Sequence, residues 1–322
     1  MFTRRVELRR HGGLVPVSED DVLVTADVGP HGEVVALWST PEGREVLHAL
    51  DGGRGGASFP AVRAARPVAA RLTRHVPDRD AVVHLDGLAL AHCHVQPLPG
   101  DRFLVVGARN RWTADGVEDN AHVVDPAGGV VRTALFGDGV AHVAATPSGQ
   151  VWVGYSDEGV YGNFGWGGPG PAPVGGSGLV RFGRDLTPTW AYPHDGDFDG
   201  IDDCYALNVA GETAWTCYYS EFPVVRVDGD RVTGWENEVE GATAVITDGV
   251  RCALVGGYGG ERDLVRVGEL TGDGRFEVRH TRRLALPDRR PSNGWTAVGR
   301  GDVLHVISGT AHYRLDLDQL PG

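Results

Sequence analysis

Residues 141–156, AHVAATPSGQVWVGYS, decide the fold of this chain. Two short runs of aliphatic and aromatic residues flank Pro147, Ser148 and Gly149, which is the pattern of a β-hairpin with a tight turn. The pattern occurs six times. It predicts hairpins, with their turn glycines in parentheses, at 22–39 (Gly32), 91–107 (Gly100), 141–155 (Gly149), 203–219 (Gly211), 242–258 (Gly249) and 294–308 (Gly301).

Hairpins repeated at such intervals are typical of a β-propeller, in which each blade is a four-stranded antiparallel sheet. Weaker strand pairs follow most hairpins, as in AHVVDPAGGVVRTALF (121–136), and fit the outer strands of a blade. We therefore predict an all-β chain forming a single β-propeller domain over residues 1–322, with six four-stranded blades. Seven blades are the alternative, because residues 51–90 are irregular enough to hold a degenerate blade.

Two segments depart from this repeat. PAVRAARPVAARLTRHV (60–76) is helix-like in composition, but Pro67 interrupts it. The last repeat lacks an outer strand, since only AHYRLDLD (311–318) follows its hairpin. The N-terminal segment 3–10, TRRVELRR, has strand character. We predict that it supplies the missing strand and closes the ring, which would remove an exposed edge.

Composition limits the partners. The chain has 322 residues and a net charge of −13, and a surface this negative repels phosphate backbones, so nucleic acid is excluded as a partner. The sequence contains no apolar run long enough to span a membrane, and the charged start lacks a signal-peptide core, which predicts a cytoplasmic protein without membrane association. Four cysteines without a C-x-x-C pair indicate buried, reduced thiols. The oligomeric state does not follow from the sequence.

The longest connections all belong to one face. In a propeller, the loops that enter the innermost strand and those between the second and third strands lie together at the top. Loops 108–120, 155–178 and 256–263 stand there, whereas the opposite turns are short, so we predict a top-face site for a small-molecule or peptide ligand. The predicted lining comprises Asp157, Tyr161, Asn163, Asp202, Tyr218, Tyr219, Tyr258, Arg262 and Trp295.

Each of these residues also has a structural interpretation. The aromatic side chains could stack a ligand or simply pack between blades. Arg262, like Arg109 and Arg111, could pair with a carboxylate substrate or remain a solvated loop charge.

Residues 139–162, GVAHVAATPSGQVWVGYSDEGVYG, resemble a blade of the NHL and streptogramin-lyase type of propeller, and the other repeats resemble it loosely. The resemblance implies a divalent metal at the mouth of the central channel, held by histidines and a carboxylate. By position, His92, His142 and Glu158 would be the catalytic residues. It further implies a metal-assisted lyase or hydrolase acting on a small or cyclic molecule.

Two alternatives to this activity stay open. Each histidine could instead hydrogen-bond neighbouring strands. The whole chain could be a non-catalytic propeller that binds a protein or a small ligand, since the fold hosts both kinds of function.

An acidic loop precedes the fourth hairpin. Its pattern D-x-D-x-D-G-x-x-D resembles the calcium loops of FG-GAP repeats, in which alternate aspartates offer hard oxygens to one cation. The candidate Ca²⁺ ligands within residues 195–203 are Asp195, Asp197, Asp199 and Asp203. A solvated acidic turn is the alternative. An EF-hand is excluded because Ala206 stands where its twelfth-position glutamate would be needed.

Gly165-x-Gly167-x-x-Gly170 matches the dinucleotide-binding fingerprint. Pro169, Pro171 and Pro173 prevent the helix that such a site requires. We therefore expect no nucleotide cofactor.

Overall fold

The computed structural model describes residues 3–52, 58–196, 198–287 and 294–320, and its regular structure is almost all β. Contacts divide the chain into two compact units. One comprises Leu14–Ala191, and the other comprises Met1–Gly13 together with Tyr192–Gly322. The single-domain organisation of residues 1–322 remains a prediction.

The unit Leu14–Ala191 contains three antiparallel sheets whose strands follow one another in chain order. They are β3 (Val22–Val28), β4 (Val34–Ser39), β7 (Arg63–Val76) and β8 (Asp78–Leu90); β9 (Cys93–Leu98), β10 (Arg102–Gly107), β13 (Ala121–Val124) and β14 (Val130–Ala134); and β15 (Val140–Ala145), β16 (Val151–Tyr155), β17 (Leu179–Phe182) and β18 (Pro188–Ala191). Smaller elements are α1 (Pro41–Leu47), α2 (Asp157–Tyr161), and the strand pairs β5 (Leu50–Gly52) with β6 (Ser58–Pro60) and β11 (Trp112–Thr113) with β12 (Gly116–Val117).

The second unit repeats this construction. Its strands form three antiparallel groups: β19 (Asp203–Ala210), β20 (Thr213–Tyr219), β21 (Val224–Asp228) and β22 (Arg231–Trp235); β23 (Ala242–Thr247), β24 (Arg251–Gly256), β25 (Leu264–Leu270) and β26 (Phe276–Ala285); and β27 (Trp295–Arg300), β28 (Val303–Ser308) and β29 (Ala311–Asp316). A parallel bridge between Asn208 and Gly299 joins β19 to β27, so the first and third groups belong to one sheet. Short 3-10 turns cover Gly259–Glu261 and Leu317–Gln319.

The N-terminal segment adds a strand to two of these sheets. β1 (Arg4–Glu7) pairs in parallel with β26, and β2 (Arg9–Gly13) pairs antiparallel with β29. β2 thus becomes a fourth strand beside β27, β28 and β29, at the edge of their sheet. Leu8, between the two strands, is buried against Leu284 and Leu315.

The segment that is helix-like in composition is a strand. β7 runs from Arg63 to Val76 and pairs with both β4 and β8. Its register with β8 shifts between Arg63 and Val68, an interval that contains Pro67. A residue that cannot donate to the ladder is tolerated at such an irregularity.

The second strand of each hairpin is the most deeply buried. All residues of β4 and β16 are buried, and so are all residues of β10 and β24 except the first. The outer strand β14, in contrast, is mostly exposed. Continuous apolar runs of this kind require cover on both faces of a sheet.

Amide side chains join the first strands of neighbouring sheets. In the unit Leu14–Ala191, Gln96 of β9 donates to the Val28 carbonyl at 3.2 Å and accepts from Ala145 N at 3.1 Å. In the other unit, Asn208 of β19 donates to the carbonyls of Val245 and Gly301 at 2.9 and 2.7 Å. Both amides are fully buried and have satisfied polar contacts. Gln96 thereby ties β9 to β3 and β15, and Asn208 ties β19 to β23 and to the turn after β27.

Candidate functional site

Four of the first strands carry a β-bulge close to their start. The register shifts at Leu23/Thr25 in β3, Val140/His142 in β15, Cys204/Ala206 in β19 and Ala242/Ala244 in β23. A bulge re-aims the side chain of the extra residue. In β19 that residue is Tyr205, which places an aromatic ring beside the end of the sheet.

Tyr205 is the centre of a cluster of four aromatic rings, called here the tyrosine platform: Tyr205, Tyr219, Phe222 and Tyr258. The ring centroids of Tyr219, Phe222 and Tyr258 lie 6.4, 5.7 and 6.3 Å from that of Tyr205. Phe222 also contacts Tyr219 at 5.7 Å and Tyr258 at 6.1 Å. These separations fall in the range of favourable aromatic pairs.

The platform is open on one side. Tyr219 is 46% exposed and Tyr258 is 50% exposed, whereas Phe222 is buried beneath them. The Tyr258 hydroxyl donates to the Tyr205 hydroxyl at 3.0 Å. That hydrogen bond, followed by burial, raises the pKa of Tyr205, so its hydroxyl is neutral at neutral pH.

The backbone fixes both exposed rings. Gly241, with a φ of 68°, lies against the Tyr258 ring, and a Cβ there would stand 3.2 Å from it. Arg266 donates to the Gly256 carbonyl at 2.8 Å and pairs with Glu261, which holds the loop around Tyr258. Tyr219 is held by its ladder partner Asp203.

Carboxylates flank the platform. Asp203 is directly opposite Tyr219 in the ladder, and the backbone N–H of Asp202 donates to the Tyr219 carbonyl at 2.9 Å. Both aspartates are half-buried. Arg262, also predicted as a site residue, is exposed four positions after Tyr258.

Two other predicted aromatic residues lie apart from the platform. Tyr218 is only 1% exposed; its hydroxyl is 2.9 Å from that of Tyr192 and donates to the Asp199 carbonyl at 3.0 Å. Burial raises the pKa of Tyr218 far above its usual range. Trp295 starts β27 and packs half-buried against the aliphatic core. Their role as ligand contacts remains a prediction.

In the unit Leu14–Ala191, an ion network holds the long loop 155–178. Arg109 is 3% exposed and binds both oxygens of Asp138 at 2.8 and 3.0 Å. It also donates to Glu158 Oε2 at 2.9 Å, and its guanidinium lies 4.6 Å from the centre of the Phe164 ring. The Arg109 guanidinium is therefore paired with carboxylates of the protein itself, which disfavours the pairing with a carboxylate substrate considered above.

The remaining predicted residues of this loop are exposed, except for Asn163, which is half-buried. Tyr161 is 66% exposed and Asp157 is exposed. Asp157 accepts from the backbone N–H of Glu158, and Asn163 from that of Phe164, both at 2.7 Å. These short contacts shape the loop.

The histidines lie in or beside two different strands. His142 lies in β15 opposite Gly154, and His94, which was not among the predicted site residues, lies in β9 opposite Val106. Burial, and then the nearby His142, lowers the pKa of His94 to about 4. His92 precedes β9; its Nε2 lies 2.7 Å from the Ala49 carbonyl, and its ring stacks on His48 at 5.6 Å.

The predicted metal at the channel mouth finds no ligand set among the residues that the structure describes. No group of three or more histidine, cysteine, aspartate or glutamate side chains there could hold an ion. His92, His142 and Glu158, all described, therefore do not fit a metal centre. As catalytic groups without a metal they remain predictions.

The calcium loop is only partly described. Asp197 lies outside the described residues; Asp195 and Asp199 are exposed, and Asp203 begins β19. Calcium at residues 195–203 therefore stays a prediction. None of the described helices is long and apolar enough to cross a membrane.

A model of the YxzG family matches residues 194–248, well under half of the chain, a segment that contains Tyr205, Tyr219 and Phe222. A comparison with curated proteins gave no match.

Similar solved structures are propeller-type proteins. Virginiamycin B lyase from Staphylococcus aureus shares 10% identity, with 96% of this chain and 98% of that chain covered and a TM-score of 0.43. Regucalcin from Agrobacterium tumefaciens, a calcium-binding protein, shares 11% identity over 96% and 95%, with a TM-score of 0.47. A luciferin-regenerating enzyme shares 12% over 96% and 95%, with a TM-score of 0.48. At TM-scores below 0.5, these likenesses carry no argument about activity.

Proposed function

We propose that this protein is a six-bladed β-propeller, with its ring closed by the N-terminal strand, that binds a small molecule at the tyrosine platform. The ligand would carry a flat face, which stacks on Tyr219 and Tyr258. It would have no net negative charge, because Asp202 and Asp203 stand beside the platform and the chain carries a net charge of −13.

The exposure of the platform carries this proposal. Tyr219 and Tyr258 are about half exposed, although both rings belong to one connected aromatic cluster. Contiguous exposed aromatic surface is costly in water and marks interaction sites when it is rimmed by polar groups. The Tyr258–Tyr205 hydrogen bond fixes the ring geometry before binding, which lowers the entropy cost of binding.

The test is a titration of the protein with three flat-faced probes, cellobiose, adenosine and tyramine. Saturation-transfer NMR measures the binding of each probe. At least one probe should bind, and Tyr258→Ala and Tyr219→Ala should each weaken it about tenfold, equivalent to about 1.4 kcal/mol. Tyr161→Ala removes an exposed tyrosine of the other unit and should leave the affinity unchanged. Two results would reject the platform as the site. They are an equal change of affinity in Tyr219→Ala, Tyr258→Ala and Tyr161→Ala, and the absence of binding for all three probes.

A lyase or hydrolase acting on a cyclic molecule is the second candidate. The observation in its favour is the position of His94, which is half-buried in β9 with its Nε2 3.1 Å from the Val140 carbonyl of the strand that carries His142. Burial, and then His142, lowers the pKa of His94, and a neutral imidazole near a second one suits proton transfer. His142 would serve as base and Glu158 as acid. Quinupristin, with which the similar virginiamycin B lyase structure was solved, is a suitable probe. Ring opening that His142→Ala abolishes and His31→Asn retains would support this candidate; no turnover by the wild-type protein would remove it.

A further inference from the structure

A cleft lies in the unit Leu14–Ala191 at the end of the sheets where the strands are joined by short turns, and we name it the arginine cleft. The short turns after β9, β15 and β17 form it, together with the outer strand β14. Arg102, Arg132 and Arg184 surround it, and Leu98, Val123 and Val131 supply its apolar wall. Its volume is about 270 Å³, enough for a small organic molecule.

Backbone carbonyls hold the three arginines in place. Arg102 donates through Nε to the Pro99 carbonyl at 3.0 Å, and Arg132 donates through Nη1 to the Arg184 carbonyl at 3.1 Å. Arg184 in turn donates through Nε to the Ser148 carbonyl. Each guanidinium has five N–H donors, so most of the donors of all three remain available for a ligand.

Carboxylates do not neutralise this cluster. Within the described residues none of the three arginines forms an ion pair, whereas Arg74 pairs with Asp80 and Asp101. The carboxylate of Asp185 is near enough to Arg132 to interact with it electrostatically. However, Oδ1 of Asp185 accepts from the backbone and hydroxyl of Thr187 at 3.2 and 2.7 Å.

A glycine permits the close approach that shapes the cleft. Gly149 has a φ of 89°, and a Cβ at this position would lie 3.0 Å from Cδ of Pro99. The turns of two neighbouring sheets therefore meet at Pro99 and Gly149, which brings the guanidiniums of Arg102 and Arg184 to one cleft.

We infer that the arginine cleft binds a small organic dianion, a phosphate monoester or a dicarboxylate, with an apolar portion against Leu98, Val123 and Val131. Guanidinium groups bind such anions through paired, charge-assisted hydrogen bonds. Three arginines that form no ion pair with any described residue, in a protein with a net charge of −13, create a local positive field that attracts an anion. This inference does not rest on the proposed function of the tyrosine platform.

Isothermal titration calorimetry tests the inference with phenyl phosphate and phthalate, which distinguish the two sources of the dianion. At least one should bind the wild-type protein with a Kd below about 1 mM, and Arg132→Gln and Arg184→Gln should each weaken it at least tenfold. Arg66→Gln is the matched control, since Arg66 is an exposed arginine of the same unit outside the cleft. If Arg184→Gln fails to fold by circular dichroism, Arg102→Gln replaces it.

Three results would overturn the inference. They are the absence of binding heat for both probes, an equal loss of affinity in Arg66→Gln and Arg132→Gln, and displacement of either probe by chloride at matched ionic strength. The last result would indicate general charge attraction in place of a built site.

Discussion

At the scale of single residues, Thr73 is the centre of a buried hydrogen-bond network. The indole N–H of Trp38 donates to its hydroxyl at 2.7 Å, and Nε2 of His75 lies 2.9 Å from the same oxygen. All three side chains are at most 2% exposed. Burial, and then Arg79, lowers the pKa of His75 to about 4, so the His75 imidazole in this network is neutral at pH 7.

Thr73→Val should destabilise the protein by about 1–3 kcal/mol, because it preserves the side-chain shape but leaves the buried Trp38 N–H without its acceptor. Urea unfolding measures the change. Thr213→Val is the control: the Thr213 hydroxyl is exposed and 3.5 Å from Asp228, so a loss below about 0.5 kcal/mol is expected. Equal losses in the two variants would contradict the assignment.

Gly299 lies in β27 where this strand approaches β23 closely. A Cβ there would stand 1.9 Å from the Val245 carbonyl and 3.2 Å from Nδ2 of Asn208. Gly299→Ala should therefore cost about 3 kcal/mol, since β27 must move away from β23. Gly272→Ala, where nothing lies within 4 Å, should change the free energy of unfolding by less than about 1 kcal/mol. A tolerated Gly299→Ala would show that this contact is not close in solution.

At the scale of elements, the sheet of β27–β29 and β2 contains three neighbouring histidines. His305 Nδ1 lies 3.0 Å from His312 Nε2, and the rings of His11 and His312 are 5.2 Å apart. Burial, and then His312, Arg314, Arg300 and His11, lowers the pKa of His305 to about 2. Burial, and then Arg314, also lowers the pKa of His11.

His305 and His11 make the protein less stable in acid. The native pKa values of both lie below the unfolded value of about 6.5, so the unfolded chain binds more protons as pH falls below about 6.5. The free energy of unfolding should therefore decrease from pH 7 to pH 5, by up to about 1.4 kcal/mol per pH unit for His305. Urea unfolding at several pH values measures this slope.

His305→Leu should flatten the slope whatever its effect on stability at pH 7, because the titrating group is gone. His31→Asn changes an exposed histidine and should keep the wild-type slope. An unchanged slope in His305→Leu would refute the contribution of His305.

The acidic loop before β19 gives a prediction of its own. If it binds calcium, a concentration of 100 Kd should stabilise the fold by about 2.7 kcal/mol, and a chelator should reverse the rise in Tm. Asp195→Asn with Asp199→Asn should abolish the shift, and magnesium is the comparison ion. No change in Tm at millimolar calcium would contradict calcium binding and favour the alternative, a solvated acidic turn.

For the whole molecule, the N-terminal segment determines which sheet edges are exposed. β1 covers β26 and β2 covers β29, while Leu8 between them is 1% exposed. Deleting residues 1–13 should lower Tm and cause concentration-dependent aggregation, because it uncovers strand edges. Differential scanning fluorimetry and light scattering measure both effects.

A chain that begins at Arg4 keeps both strands and is the control for this deletion. Leu8→Ala retains the strands but loses the buried side chain, and it should cost about 2–5 kcal/mol. Wild-type Tm and solubility in the deleted chain would show that the segment does not stabilise the fold.

The sequence by itself determined the six hairpins, because period-2 apolar runs and turn glycines such as Gly149 and Gly211 act within a few residues. It also indicated that Tyr219 and Tyr258 stand near strand ends. It did not reveal β7, since the composition of residues 60–76 suits a helix and only pairing with β4 and β8 makes it a strand. Tertiary structure alone brought Tyr205 between Tyr219 and Tyr258, paired Arg109 with Asp138, and gathered Arg102, Arg132 and Arg184. Bulges and contacts between sheets decide these positions, and both depend on partners that are distant in the sequence.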